Sequence, residues 1–423
     1  MATLEDFQTL AQLLREHFEK IEDPRIDRTK LHPLSDLITI ALCSTLAGGT
    51  DWEDMPEWAL AQDQEWLKDK LGLKLPNGIA HHDTFRRTIS RISPEQIEPC
   101  LSVILARFRQ KHEVVGIDGK VMKGSKVVQG TGDTGGTGGT AVMRHKAITL
   151  LNAWANDSKI MIAQGSIPEG TNEIGAMPAF LESLEIAGCT ITTDAAHCQT
   201  ETVEIIRRKQ AHYLLTLKDN QPKLHQAVVA AFTHADHNPD VVHSTHEQSG
   251  KEHGRTEWRK CRVIAVEDWL LPEDPLRRWK DLNCIICVER RREYKKAGVV
   301  KVSHSQTYHI SSHAPDAEAL QGKVRARWGV ENRGHYVLDV LFGEDSCRIR
   351  KDHGPANLAL LRRICLNLVR LAPNVKGSLR SRIKRAGWNP NFLYDLLLLP
   401  VPDPLGSRVS IAKGSRAAEE VEI

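Results

Sequence analysis
The spacing of apolar positions changes three times along the chain, and each change marks a new kind of structure. Up to about Phe108 the spacing is helical. The start, MATLEDFQTLAQLLREHFEK, reads as an amphipathic helix, Asp36–Leu46 is apolar on nearly all sides, and Asp63–Leu71 is amphipathic again. Asp83 is placed to cap a further helix in which Arg86, Arg87 and Arg91 fall within two turns. Three such arginines suit either a phosphate backbone or a solvated face.

From Glu113 the texture becomes β-branched. EVVGIDGKVMKGS reads as a buried strand ending on Asp118. Strands over His145–Ala155 and Lys159–Gly165 are joined by an Asn156-Asp157-Ser158 turn, and a helix runs from about Asn172 to Leu184 with Glu173 near its start. A strand over Cys189–Asp194 again ends on an acid. A helix, TETVEIIRRKQ, and a strand, HYLLTLKDNQPKL, with Lys218 at its basic exit complete the series. The order predicts an α/β fold with a mixed sheet covered by helices, in which two strands deliver Asp118 and Asp194.

Between about Gln221 and His313 the pattern reads as a β-rich insertion, dense in Arg255, Arg259, Lys260, Arg290, Arg291, Arg292, Lys295 and Lys296. Helical spacing returns near Pro315-Asp316. Arg327, Glu331 and His335 then stand one turn apart on what reads as a single helix, with Trp328 beside them and Arg348, Arg350 and Lys351 at its exit. Ala356–Leu371 follows as a core helix, and GSLRSRIKRAGW is a basic, helix-like run. Beyond Pro400 no core pattern remains. The expected division is 1–110, a helical domain; 111–220 and 314–372, the two parts of a catalytic core; 221–313, the insertion; and 373–423, a basic segment with a loose tail.

Composition changes little in this picture. The chain of 423 residues has a net charge of +3, too mild to identify a polyanionic partner. Its acidic start differs from a secretory signal, and no apolar run approaches the roughly 20 residues that span a bilayer. Nine scattered cysteines fit reduced thiols, and Cys284 and Cys287 lie in the apolar run LNCIICVER without a second ligand pair, so a buried strand is expected rather than zinc. The expectation is a cytoplasmic protein without a membrane segment. The run GTGDTGGTGGT at 130–140 lacks the lysine and helix of a phosphate-binding loop and reads as a linker.

Three carboxylates from distant positions repel one another when brought close, so a constellation of Asp118, Asp194 and Glu331 persists only around a cation. Hard oxygen donors select Mg²⁺, with Mn²⁺ as a substitute. Two such ions suit in-line displacement at a phosphodiester. Asp339, Glu344 and Asp345 are alternatives for the third acid, and Trp328 reads as either core or a base-stacking surface.

Ordered stretches across most of the chain resemble the H-repeat-associated transposases among the bacterial DDE insertion-sequence transposases. They are EDPRIDRTKLHPLSDLITIALCSTLAGGTDWEDMPEWA, HHDTFRRTISRI, VVGIDGKVMKGS, Thr171-Asn172-Glu173-Ile174, TTDAAHCQTE, YLLTLKDNQPKL, His253-Gly254-Arg255 and WGVENRGHYVLDVLFGEDSCRIRK. The resemblance implies an RNase H-like fold and a catalytic triad of Asp118, Asp194 and Glu331. It also implies a double-stranded DNA partner bound by a homodimer, and a nucleoid-associated location. Arg327 and Glu331 fit the family's Y-R-E-K signature, whereas Val324 and Leu338 stand at its Tyr and Lys positions. DNA contacts are expected from Arg86, Arg87, Arg91, Lys120, Lys218, Arg255, Arg327, Trp328, Arg348, Arg350 and Lys351. The implied activity is metal-dependent strand cleavage and transfer, with a DNA-holding remnant or a host nuclease as the other uses of such a chain.

Overall fold
The computed structural model describes residues 9–126, 147–252, 254–266, 274–296, 299–373 and 375–402. The glycine-rich run, His145, His253 and the segment after residue 402 lie outside the described residues. The first region is helical as its spacing demands: α1 (Leu10–Phe18), α2 (Leu34–Leu46), α3 (Asp54–Leu60), α4 (Gln64–Leu71), α5 (His82–Ile89) and α6 (Pro94–Ile97). Asp63 caps α4 by accepting the Trp66 N–H, and Gly72 closes it in a left-handed conformation. The cap of α5 differs from expectation. The helix begins two residues earlier, so His81 takes the cap and Asp83 lies in the first turn, where its carboxylate binds Arg86 at 2.7 Å.

One sheet of nine strands runs through the rest of the molecule, in the order β3-β2-β1-β4-β5-β9-β8-β7-β6. Its first half comprises β1 (Val114–Val121), the hairpin β2 (Thr149–Ala155) and β3 (Ile160–Ser166), α7 (Glu173–Glu182), β4 (Thr190–Thr193), α8 (Thr200–Arg208) and β5 (His212–Leu217). β1, β4 and β5 are parallel, while β2 and β3 run antiparallel on the outside. Ile117 pairs with Thr193, so Asp118 and Asp194 emerge side by side. β1 does not end at Asp118. It continues to Val121 because β2 still pairs with it after β4 has turned away.

The stretch after β5 was expected to be β-rich, but it opens with a helix, α9 (Pro222–His237). Pro222 suits the first turn, and Leu224, Val228, Phe232 and Ala235 bury one helical face. The antiparallel strands β6 (Ser244–Glu252), β7 (Arg255–Ala265), β8 (Cys284–Lys296) and β9 (Val299–Ser311) follow, and β9 pairs with β5. The insertion therefore extends the sheet of the core. Cys284 and Cys287 lie buried in β8, as the apolar run around them requires.

The next expected helix is interrupted. α10 (Ala317–Ala326) gives way to a wide, π-type turn over Val330–His335 before α11 (Tyr336–Phe342). Two glycines explain how closely this turn lies on the sheet: a Cβ on Gly329 would overlap the Asn156 side chain, and one on Gly334 would stand 3.1 Å from Met161. α12 (Gly354–Leu371) is buried along almost its whole length. Asn367 exchanges two hydrogen bonds with the Met161 backbone of β3, and Asn357 donates to the Ile89 and Ile92 carbonyls beside α5. Through α12 the amino-terminal helices and the closing helices share one core, which includes Leu37, Leu42, Leu361 and Ile364. α13 (Leu379–Trp388) and α14 (Pro390–Leu397) complete it. Among the described residues no helix is long and apolar enough to cross a membrane.

Candidate active site
β1 carries the first acid of the site on its middle. Gly116, two residues earlier on the same face, has no side chain, and a Cβ there would already touch the Arg327 carbonyl at 3.4 Å. The π-type turn therefore lies directly over β1, and Glu331, Arg327 and His335 come within the electrostatic reach of Asp118. His335 Nδ1 stands 3.6 Å from Asp118 Oδ2.

Asp118 registers its neighbours through its acidity. Burial, then Glu331, then Asp194 push its carboxyl up to about 7, against the opposing pull of the Gly119 N–H and Arg327. Asp194 adds a sign of its own: its Oδ1 is buried without a hydrogen-bond partner. Three acids from β1, the end of β4 and the π-type turn thus share one field with too little positive charge to answer it. His335 adds none, since burial first, then Arg363 and Lys120, holds its imidazole down near 3.

The donor set fits a hard divalent cation. It consists of carboxylate oxygens, one of them buried without a hydrogen-bond partner. The ligand atoms of the triad are not collapsed on one point. Among the described residues the set of three lying within 4.8 Å of one another is His81, His82 and Asp83. In that set Asp83 is already bound by Arg86, and His81 Nδ1 accepts the Asp83 N–H.

The alternative third acids are occupied. Lys120 Nζ donates to both Asp339 oxygens at 2.8 Å and to Asp345 at 3.3 Å, while Glu344 is bound by Arg363 at 2.7 Å. This also corrects the expectation for Lys120. It is buried at 7% exposure and committed to acids, because it points from β1 into the packing of α11.

Four of the expected DNA contacts meet in one place. Lys218, Arg255, Arg327 and Trp328 line a cavity of about 870 Å³ between the sheet face of the insertion and the end of α10. Arg259, Arg290, Arg292, Arg325 and Arg333 line it too. Against them stand Asp157 and Glu257, and Glu257 is held by Arg259 at 2.5 Å and Arg292 at 3.2 Å. Burial and neighbouring arginines lower both Arg259 and Arg290, the direction expected of crowded cations. Trp328 is exposed, with the Arg327 guanidinium 4.3 Å over its ring.

The remaining expected contacts lie elsewhere. Arg86 is paired with Asp83, Arg87 and Arg91 are exposed on and after α5, and Arg348, Arg350 and Lys351 are exposed beyond α11. Arg350 donates to the Gly124 carbonyl. Of the arginines dense in the insertion, Arg255 alone is among the expected contacts, and Arg259, Arg290 and Arg292 join it in the cavity. Their alternation was the missed signal: Arg255, Glu257 and Arg259 share one face of β7, and β8 sets Arg292 opposite Glu257 and Arg290 opposite Arg259.

A parallel β1-β4-β5 core with an antiparallel hairpin outside β1, carrying acids from β1, β4 and a late helix, defines an RNase H-like α/β fold with a carboxylate centre. The family description "Transposase DDE domain" matches residues 109–368, and "DDE_Tnp_1-associated" matches residues 15–103. The H repeat-associated putative transposase YhhI of Escherichia coli K12 is 31% identical over 91% of this chain and 97% of its own length. An uncharacterized protein in the dhlA 3′ region of Xanthobacter autotrophicus is 35% identical over 71% of this chain and 94% of its own. A piggyBac transposase synaptic complex with hairpin DNA covers 92% of this chain and 82% of that chain, at a TM-score of 0.40 and 12% identity. The chain belongs to the DDE transposase family.

Proposed function
We propose that this transposase binds the ends of its own element and catalyses cleavage of a DNA strand and its transfer to target DNA. The reading is supported by the placing of Asp118 and Asp194 at the ends of paired β1 and β4, with the turn that bears Glu331 packed over β1; burial first, then Glu331 and Asp194, raise the Asp118 carboxyl. Asp118, Asp194 and Glu331 would hold the catalytic Mg²⁺, with Mn²⁺ as substitute. When bound, such ions supply an activated water or 3′-hydroxyl and a counter-charge for the departing alkoxide.

The protein's own groups do the positioning. Arg327 would hold a phosphate beside Glu331, and Trp328 offers a face to an unpaired base. The arginine-lined cavity supports a DNA backbone running from the insertion toward the acids, with the exposed Arg87, Arg91, Arg348 and Lys351 as further contacts. Joining requires two ends in one complex, so two copies on DNA are the simplest assembly.

The test is cleavage and joining of duplexes that carry the inverted repeats flanking the coding region. Joined products are expected from wild type and none from Asp118→Asn or Asp194→Asn. Equal activity of either variant would overturn the assignment, and cleavage without joined ends would favour a nuclease.

A further inference from the structure
A fourth acid stands against the centre from the other side of the sheet. Glu173 opens α7 directly after its cap, Asn172, and its carboxylate rests on the backbone next to Asp118. A Cβ on Gly119 would stand only 2.5 Å from Glu173 Cδ, so glycine at that position is what admits the carboxylate. Beyond it lies His197, in the turn that follows Asp194. Its Nε2 is 3.9 Å from Glu173 Oε2 and 3.9 Å from Asp194 Oδ1.

Those separations exceed a hydrogen bond by the better part of an ångström. His197 is 1% exposed, and neither ring nitrogen has a partner; nor does Asp194 Oδ1. A buried imidazole and a buried carboxylate oxygen facing each other, with a second carboxylate alongside, leave polar atoms that folding would normally satisfy. Buried polar atoms without a protein partner take a water or, where carboxylates stand beside them, a cation. Aspartate, glutamate and histidine are one such donor set, and the imidazole shifts its preference from Mg²⁺ toward a transition ion.

We propose that Glu173 and His197, with Asp194, form a metal-binding position of the acidic centre, whose imidazole donor shifts its preference from Mg²⁺ toward Mn²⁺. The inference rests on the metal-dependent reading above and adds two ligands to it. Each carboxylate stands 3.9 Å from the same ring nitrogen, though the three ligand atoms do not all lie within 4.8 Å of one another, so the carboxylates would turn toward His197 to hold one ion. α7 is thereby tied to the centre, so three strand-borne and helix-borne acids are joined by one from the opposite face of the sheet.

Electron paramagnetic resonance titration of the full chain with Mn²⁺ alone tests it. Wild type is expected to show nitrogen coupling to bound Mn²⁺, and His197→Gln to lose it, which separates His197 from His335. Glu173→Gln should weaken Mn²⁺ binding by about 10- to 100-fold. Gly119→Ala should weaken it as well by displacing the carboxylate, without removing any ligand, and so guards against a folding defect in the His197 variant. Asp118→Asn is the control for the centre itself. Loss of binding in Asp118→Asn with Glu173→Gln and Gly119→Ala binding like wild type, and no nitrogen coupling in any protein, would overturn this position while leaving the acidic centre intact. Wild-type affinity in Asp118→Asn would remove the centre and this position together.

Discussion

Two clusters of three acids meet β1 two residues apart, one at Asp118 and one at Lys120, and they have opposite electrostatic characters. Asp339, Glu344 and Asp345 gather around Lys120, with Lys123 on Asp345 and Arg363 on Glu344. Burial raises Asp339 against the pull of Lys120, while Asp345 is held below its ordinary value because Lys123 and Lys120 outweigh its burial. Asp118, Asp194 and Glu331 gather around nothing comparable, and Asp118 rises to about 7. Identical chemistry thus serves two ends. Acids answered by buried cations hold α11 and α12 to the sheet, and acids left unanswered call for a cation from solution.

The comparison breaks most visibly by charge removal on the two sides. Asp118→Asn should reduce strand cleavage by about 1000-fold or more, since the ions it holds supply several kcal/mol in the transition state. Its stability toward urea should hold or rise, because one of three repelling charges is gone. Lys120→Met should do the reverse. Removing one partner of a buried ionic network typically costs about 3–5 kcal/mol, so its urea midpoint should fall sharply. A Lys120 variant of unchanged stability with a selective defect in DNA binding would restore the role first expected of it.

The two clusters were unequally legible in the sequence. Asp118 and Asp194 stand out because a β-branched run ends in an acid twice, and the parallel register of β1 and β4 sets them side by side. Glu331 was legible only by resemblance, because helical spacing cannot separate it from Asp339, Glu344 and Asp345. What separates them is Lys120, more than 200 residues away in the chain, and burial at that distance has no local signature. The interruption at Val330–His335 was likewise hidden: it depends on Gly329 and Gly334 meeting Asn156 and Met161 across the sheet. α9 is legible locally, in Pro222 and the helical spacing of Leu224, Val228 and Phe232, but the β-branched runs that follow it dominate the texture of the insertion.

Acidity sharpens the comparison at intermediate size. In chelator, the folded Asp118 carboxyl near 7 lies above its unfolded value near 4, so the native state binds the extra proton between them. Asp118 then contributes nothing below about pH 4 and increasingly destabilises the fold as pH rises toward 7. Urea unfolding of wild type and Asp118→Asn at both ends of this window should show the variant gaining relative stability with rising pH. Addition of Mn²⁺ at pH 7 should release about half a proton per wild-type chain and shrink that gain. A difference that stays flat across the window would mean that solvent screens Asp118 from Glu331 and Asp194.

The smallest expected effect concerns the opposite sign of charge. The cavity between β7, β8 and α10 gathers cations as the centre gathers acids, and Glu257, which takes Arg259 and Arg292, answers only part of them. If unanswered charge marks a ligand site here as well, Arg290→Gln should weaken DNA binding about equally for all sequences and reduce the slope of log affinity against log salt by about 1. Arg382→Gln is the matched contrast: Arg382 donates to the Val369 carbonyl at 2.8 Å and to the Val375 and Gly377 carbonyls. It should lower stability and leave the salt slope unchanged, because a guanidinium already committed to backbone carbonyls releases no counterion when DNA binds.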